Sequence, residues 1–127
     1  MTWEMRIRTL ISVDILLLTT GPTMILSLFL MPKSGVVEIC PVNYRGYFYR
    51  QMAMTMDIYY LAHYNFTSSS SSQLPLECVG FENNMDESES CREKMLTPTV
   101  YVPPITLWMM LVDMGNTVNH NKYHIYR

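Results

Sequence analysis

A basic stripe, a paired-cysteine finger and a glycine-rich phosphate loop are all missing from this chain of 127 residues. Nine Lys and Arg against eleven Asp and Glu leave a formal net charge of −2 and a pI near 5.8. Nothing here is built to displace counterions from a phosphate backbone, so nucleic acid is excluded as a partner. No two of Cys40, Cys78 and Cys91 stand in a Cys-x-x-Cys spacing, which removes the zinc-finger and dithiol-redox readings. A Gly-x-Ser-x-Gly elbow, a dinucleotide fingerprint and a cysteine with a plausible histidine partner are equally missing, and a non-enzymatic protein without a cofactor is expected.

What is present begins with Arg6 and Arg8, followed by an apolar stretch from Leu10 to Met31. That order of charge and hydrophobicity predicts a secretory signal, giving residues 1–32 as signal peptide or signal-anchor and 33–127 as the folded part. Ile11 to Met31 is 21 residues, enough to span a bilayer, so a single-pass anchored accessory or surface protein is the alternative. Asp14 in that run would cost roughly 2.5–3.5 kcal/mol near the middle of a span, and Gly21-Pro22 would break its helix. Both interrupt the signal pattern, and the cost of Asp14 in a span favours a cleaved signal over an anchor. An oxidising compartment then makes the odd number of cysteines informative: it implies a missing partner, an intermolecular bridge or a free thiol.

The richest stretch runs from Tyr59 to Gly80. Ile58, Tyr60, Ala62, Tyr64 and Phe66 alternate with Tyr59, Leu61, His63 and Asn65, a period of two that predicts a strand with an aromatic face. Ser68 to Ser72 read as a flexible connection, after which a second short strand is expected over about Leu76 to Glu82. Asn65-Phe66-Thr67 fits the glycosylation triplet, making Asn65 a candidate glycan site on a secreted surface.

Elsewhere the patterns are thinner. Val36 to Tyr49 suits a lead-in to the first strand. Met52, Met54 and Met56 at alternate positions suit a strand face, and Arg50 to Asp57 could also form one helical turn. Asn83 to Ser90 reads as a solvated acidic turn; the calcium-loop pattern with its glycine and terminal glutamate is lacking. Thr99 to Val102 looks like a further strand ended by Pro103-Pro104, and Ile105 to Val112 like a buried strand or short helix. His120 and His124 are four apart, but no neighbouring ligand completes a metal set, and they read as a solvated tail.

The order of these features resembles the N-terminal part of tick salivary lipocalins, the histamine-binding family. The resemblance rests on Tyr59-Tyr60-Leu61 as the aromatic opening of a barrel strand, on Cys78-Val79-Gly80, and on the acidic turn from Asn83 to Glu89. It implies an all-β, lipocalin-like antiparallel β-barrel, here incomplete, with the partner of Cys78 beyond the end of the chain. It also implies a secreted binder that sequesters a small host mediator, histamine or another biogenic amine or small amphiphile, in evasion of host defence. The implied ligand-binding set is Tyr60, Tyr64 and Phe66, with Ser69 and Ser72 where the family carries an Asp and, in some amine binders, a Trp. A cation in a low-dielectric pocket needs a carboxylate and an aromatic face, and serine at those two positions removes them there. A membrane partner is expected only if the N-terminal segment stays uncleaved.

Overall fold

In the computed structural model, residues 1–65, 74–96, 100 and 102–124 are described, with the backbone alone for 120–124. The chain runs through α1 (Trp3–Ile11), β1 (Ile15–Thr19), a 3-10 segment (Pro22–Phe29), β2 (Gly35–Ile39), α2 (Phe48–Thr55) and β3 (Tyr59–His63). Two short 3-10 turns (Leu76–Cys78 and Met85–Glu87), α3 (Glu89–Leu96) and α4 (Pro104–His124) follow. The three strands form one parallel sheet in the order β1-β2-β3, in register from Ile15, Gly35 and Tyr59 to Thr19, Ile39 and His63.

The barrel expectation is therefore overturned. Parallel neighbours need crossover connections, and here the segment around Pro22–Phe29 and helix α2 supply them. Both lie against the same face of the sheet, where Met24, Leu30, Ala53 and Ile58 bury Val36, with Leu16, Leu18 and Tyr60 at the margin. Helix α4 covers the opposite face, setting Met110, Met114 and Val118 against Val37 and Ile39. The result is a three-layer α/β arrangement whose central strand is buried along its whole length.

Several local expectations change with it. Tyr59 to His63 is a strand, but an edge strand with parallel rather than antiparallel pairing. The return strand expected near Leu76 is a 3-10 turn instead. The methionines at 52, 54 and 56 belong to the end of α2, where Tyr49, Met52, Ala53 and Met56 follow helical spacing toward the core and Met54 is exposed. Pro104 begins a helix, occupying its first turn, where a missing N–H is harmless; of the strand expected over Thr99 to Val102, residues 99 and 101 lie outside the described residues. That helix extends through His124, so the tail histidines lie on a helix backbone.

Among the described residues no helix is long and apolar enough to cross a membrane. The hydrophobic run from Ile11 to Met31 is divided among the end of α1, strand β1 and the 3-10 segment, and supplies Leu16, Leu18, Met24 and Leu30 to the core. Gly35 opens the central strand because α4 crosses there: a Cβ at that position would lie 2.7 Å from Met114 Cγ and 3.1 Å from Val118 Cγ2.

Candidate functional site

The central strand carries one group that its surroundings do not call for. Within the β-branched run Val36-Val37-Glu38-Ile39, Glu38 points to the crossover face at the carboxyl end of the sheet and is only 2% exposed. A carboxyl in such a place is tolerated only with hydrogen-bond partners. The Tyr60 hydroxyl donates to Glu38 Oε1, while the Thr20 hydroxyl, which donates to the Ile39 carbonyl at 3.3 Å, and the Cys40 thiol lie near the carboxyl. Burial pushes the Glu38 carboxyl above the usual carboxylate range, and the Tyr60 and Thr20 hydroxyls oppose it.

A second acid lies within electrostatic reach of the first. Asp86 sits on the Met85–Glu87 turn and accepts the hydroxyl of fully buried Tyr44 through Oδ1. Through Oδ2 it accepts the Phe48 N–H at 3.0 Å, at the N-terminus of α2. Tyr47, the N-cap of α2, makes no side-chain cap bond, so a carboxylate from 38 residues further along the chain does the capping, with the helix dipole favouring its charge. The fit demands glycine at Gly46, where a Cβ would stand 2.5 Å from Asp86 Oδ2. Met85 fastens the same turn, its N–H donating to the Arg45 carbonyl at 2.6 Å while its side chain enters the core.

Four phenols complete the nest. Tyr44 and Tyr60 are held well above the ordinary tyrosine range, first by burial and then by the adjacent Asp86 and Glu38 respectively. Tyr49, whose hydroxyl donates to the Gly21 carbonyl at 2.8 Å, is raised by burial and by the charges of Asp86 and Glu38. Tyr64, raised by burial, meets the Tyr60 hydroxyl. The Cys40 thiol, deeply buried, is pushed up to about 12 by burial and then by Glu38. His63 Nδ1 is buried with no hydrogen-bond partner among the described residues.

A covalent clamp closes this end of the sheet. Cys78 pairs with Cys91 across 13 residues, and the bridge shares one buried cluster with Cys40, Tyr44, Met85 and Met95. This corrects the expectation that the partner of Cys78 lies beyond the chain. Cys40 is the cysteine left unbridged. The acidic turn is likewise not simply solvated, since Met85 plugs the core and Asp86 caps α2.

Of the expected ligand-binding residues, Tyr60 and Tyr64 come together at the nest. Phe66, Ser69 and Ser72 lie outside the described residues, as does Thr67 of the glycosylation triplet. Asn65 is half-buried, and its carbonyl accepts the Asn43 N–H at 2.8 Å. Glu38, Tyr44 and Asp86 were not foreseen. The one signal for Glu38 was a lone acid inside an otherwise apolar run, whereas nothing local marks Asp86 as a cap for a helix so distant in sequence.

The charge pattern limits what the nest can hold. The charge of Asp86 adds to the disfavouring of ionised Glu38, and among the described residues neither acid makes an ion pair. The ion pairs found, Arg8–Glu4 and Lys33–Asp57, lie at the surface. No group of three or more metal-ligating side chains occurs among the described residues. Two acids ringed by phenols, with no ion pair to either among the described residues and Arg92 near enough for its charge to act on Tyr44 and Tyr49, define a small α/β protein with an acidic, hydrogen-bonding site at the carboxyl edge of its sheet. No family model, curated protein or solved structure matches the chain.

Proposed function

We propose that the protein is a non-catalytic binder of a small protonated amine, working in an oxidising compartment outside the cytosol. The observation that carries this reading is the two acids Glu38 and Asp86, set among Tyr44, Tyr49, Tyr60 and Tyr64, with the charge of Arg92 reaching Tyr44 and Tyr49 but no ion pair to either acid among the described residues. An ammonium replaces its lost hydration with a carboxylate and aromatic faces, and this nest offers both. The carboxylate comes from Glu38 rather than from the serine-rich stretch. Tyr60, Tyr64 and Asp86 are partly exposed and form the approach. In open parallel sheets the carboxyl ends of the strands are the customary place for a ligand.

The compartment is supported by the Cys78–Cys91 bridge, because cytosolic thiols are kept reduced. The binding role is supported by the titrating groups. Raised phenols and a thiol near 12 are poor bases and nucleophiles at neutral pH.

Calorimetric titration of the full chain with histamine, serotonin and tyramine tests the proposal. One-to-one binding is expected for at least one of them, weakened about 30-fold or more by Glu38→Gln, as befits loss of a buried charge partner. Affinity should also rise with pH as Glu38 ionises, because a bound cation favours the carboxylate. No binding by any of the three amines, or binding indifferent to Glu38→Gln, removes the proposal. A second reading is favoured by the double role of Asp86, bonded to Tyr44 and capping α2: the nest then serves only to fasten the disulfide-bridged turn to the sheet. In that case Glu38→Gln alters the melting temperature while no amine does.

A further inference from the structure

Helix α4 is apolar on two opposite sides. Met110, Met114 and Val118 face the sheet. Ile105, Trp108, Met109 and Val112, spaced at i, i+3, i+4 and i+7, form the outward stripe. The first three of these are 66%, 65% and 61% exposed. Scattered exposed apolar residues are ordinary, but a contiguous stripe centred on a tryptophan marks an interaction surface.

We infer that this stripe is a self-association face on which a second copy of the chain packs its own α4, about a two-fold axis near Trp108 and Met109. Charge selects a copy of the same surface as the occupant. From Pro104 to Asn119 the helix carries a single charged residue, Asp113, which lies to one side of the stripe. Two such stripes meet without like charges opposing one another, as an isologous interface requires. A helix that docks on anionic lipid instead carries Lys or Arg along its polar face, and this segment has none before residue 120. Area agrees. The exposed part of the four side chains amounts to on the order of 500 Å² per copy, or about 1,000 Å² for the pair, which is where specific interfaces begin. Asn116 and Asn119 continue the stripe as polar residues, so the apolar contact is confined to the first half of the helix.

Sedimentation equilibrium of the full chain over a wide concentration range tests the inference. A reversible monomer–dimer equilibrium is expected, with a Kd on the order of 10 μM for so small an interface. Trp108→Glu should weaken it about 30-fold, the loss typical of a central aromatic anchor. Since Trp108 is largely exposed, the circular dichroism of that variant should match the parent. Met109→Cys gives an independent readout: near a two-fold axis the new thiols should cross-link the pair on mild oxidation. A chain that stays monomeric at the highest concentrations, or a dimer that survives Trp108→Glu unchanged, overturns the inference. The nest around Glu38 lies on the other side of the sheet, so the outcome is independent of amine binding.

Discussion

On the α4 side of the sheet, Val37 and Ile39 meet Met110, Met114 and Val118, and the buried set is wholly apolar. On the crossover side the same strand turns Glu38 toward Tyr60, Thr20 and Cys40, next to an otherwise comparable set of aliphatic neighbours. The α4 side is specified by volume: methionine fills the space, and Gly35 yields room for the helix. The crossover side gives up hydrophobic stabilisation to hold an acid. A buried carboxyl is weak evidence for stability and better evidence for a task.

Truncation on the apolar side should have the largest effect on the comparison. Met114→Ala empties a buried site where α4 crosses β2 and should destabilise the fold by about 3 kcal/mol in denaturant melts. A much smaller loss would mean that α4 is loosely held and that the two sides differ less than their packing indicates.

The crossover side is examined by removing its polarity in steps. Glu38→Leu takes the carboxylate acceptor from the half-buried Tyr60 hydroxyl, leaving it only Tyr64, and should cost about 1–3 kcal/mol. Adding Tyr60→Phe should restore most of that loss while leaving amine binding abolished, because replacing both partners by apolar groups of similar shape is nearly neutral. If the double variant stays as unstable as the single one, the pair is structural and the contrast between the two sides fails.

The smallest effect is the dependence on pH. The folded-state pKa of Glu38 is raised above its unfolded value, so the folded chain holds that proton more tightly. Its contribution to stability is therefore complete below the ordinary glutamate range near 4.3 and is lost as pH rises through the folded value. The parent should accordingly lose stability relative to Glu38→Gln over that window, as followed by urea melts at successive pH values. A difference that grows in the opposite sense would place a cation beside Glu38.

Some of this was legible in the residues and some was not. The period of two in Tyr59 to His63 identified a strand, because alternation is a property of the local backbone. The same alternation says nothing about whether the neighbour runs parallel or antiparallel, and the barrel expectation failed on that point. Ile15 to Thr19 and Val36 to Ile39 are short apolar runs of the kind found in strands buried on both faces. One of them sits within a longer hydrophobic stretch that also has the order of a targeting segment, and the other reads as a lead-in to the aromatic strand. At the site, Tyr60 and Tyr64 were identified through their shared strand face. Their acid partner was not, since Glu38 lies 22 residues before Tyr60 and meets it only through the pairing of β2 with β3.

What the amino-acid order alone determined is local: a strand at Tyr59–His63, an aromatic face upon it, and the absence of the short motifs of phosphate-binding, metal-binding or nucleophilic chemistry. Tertiary structure decided the parallel sheet, the Cys78–Cys91 pairing and the capping of α2 by Asp86. Each of these depends on residues distant along the chain coming within a few ångströms. Periodicity and turn chemistry act over a few neighbouring residues, whereas the choice among long-range partners is made by the packing of the whole core.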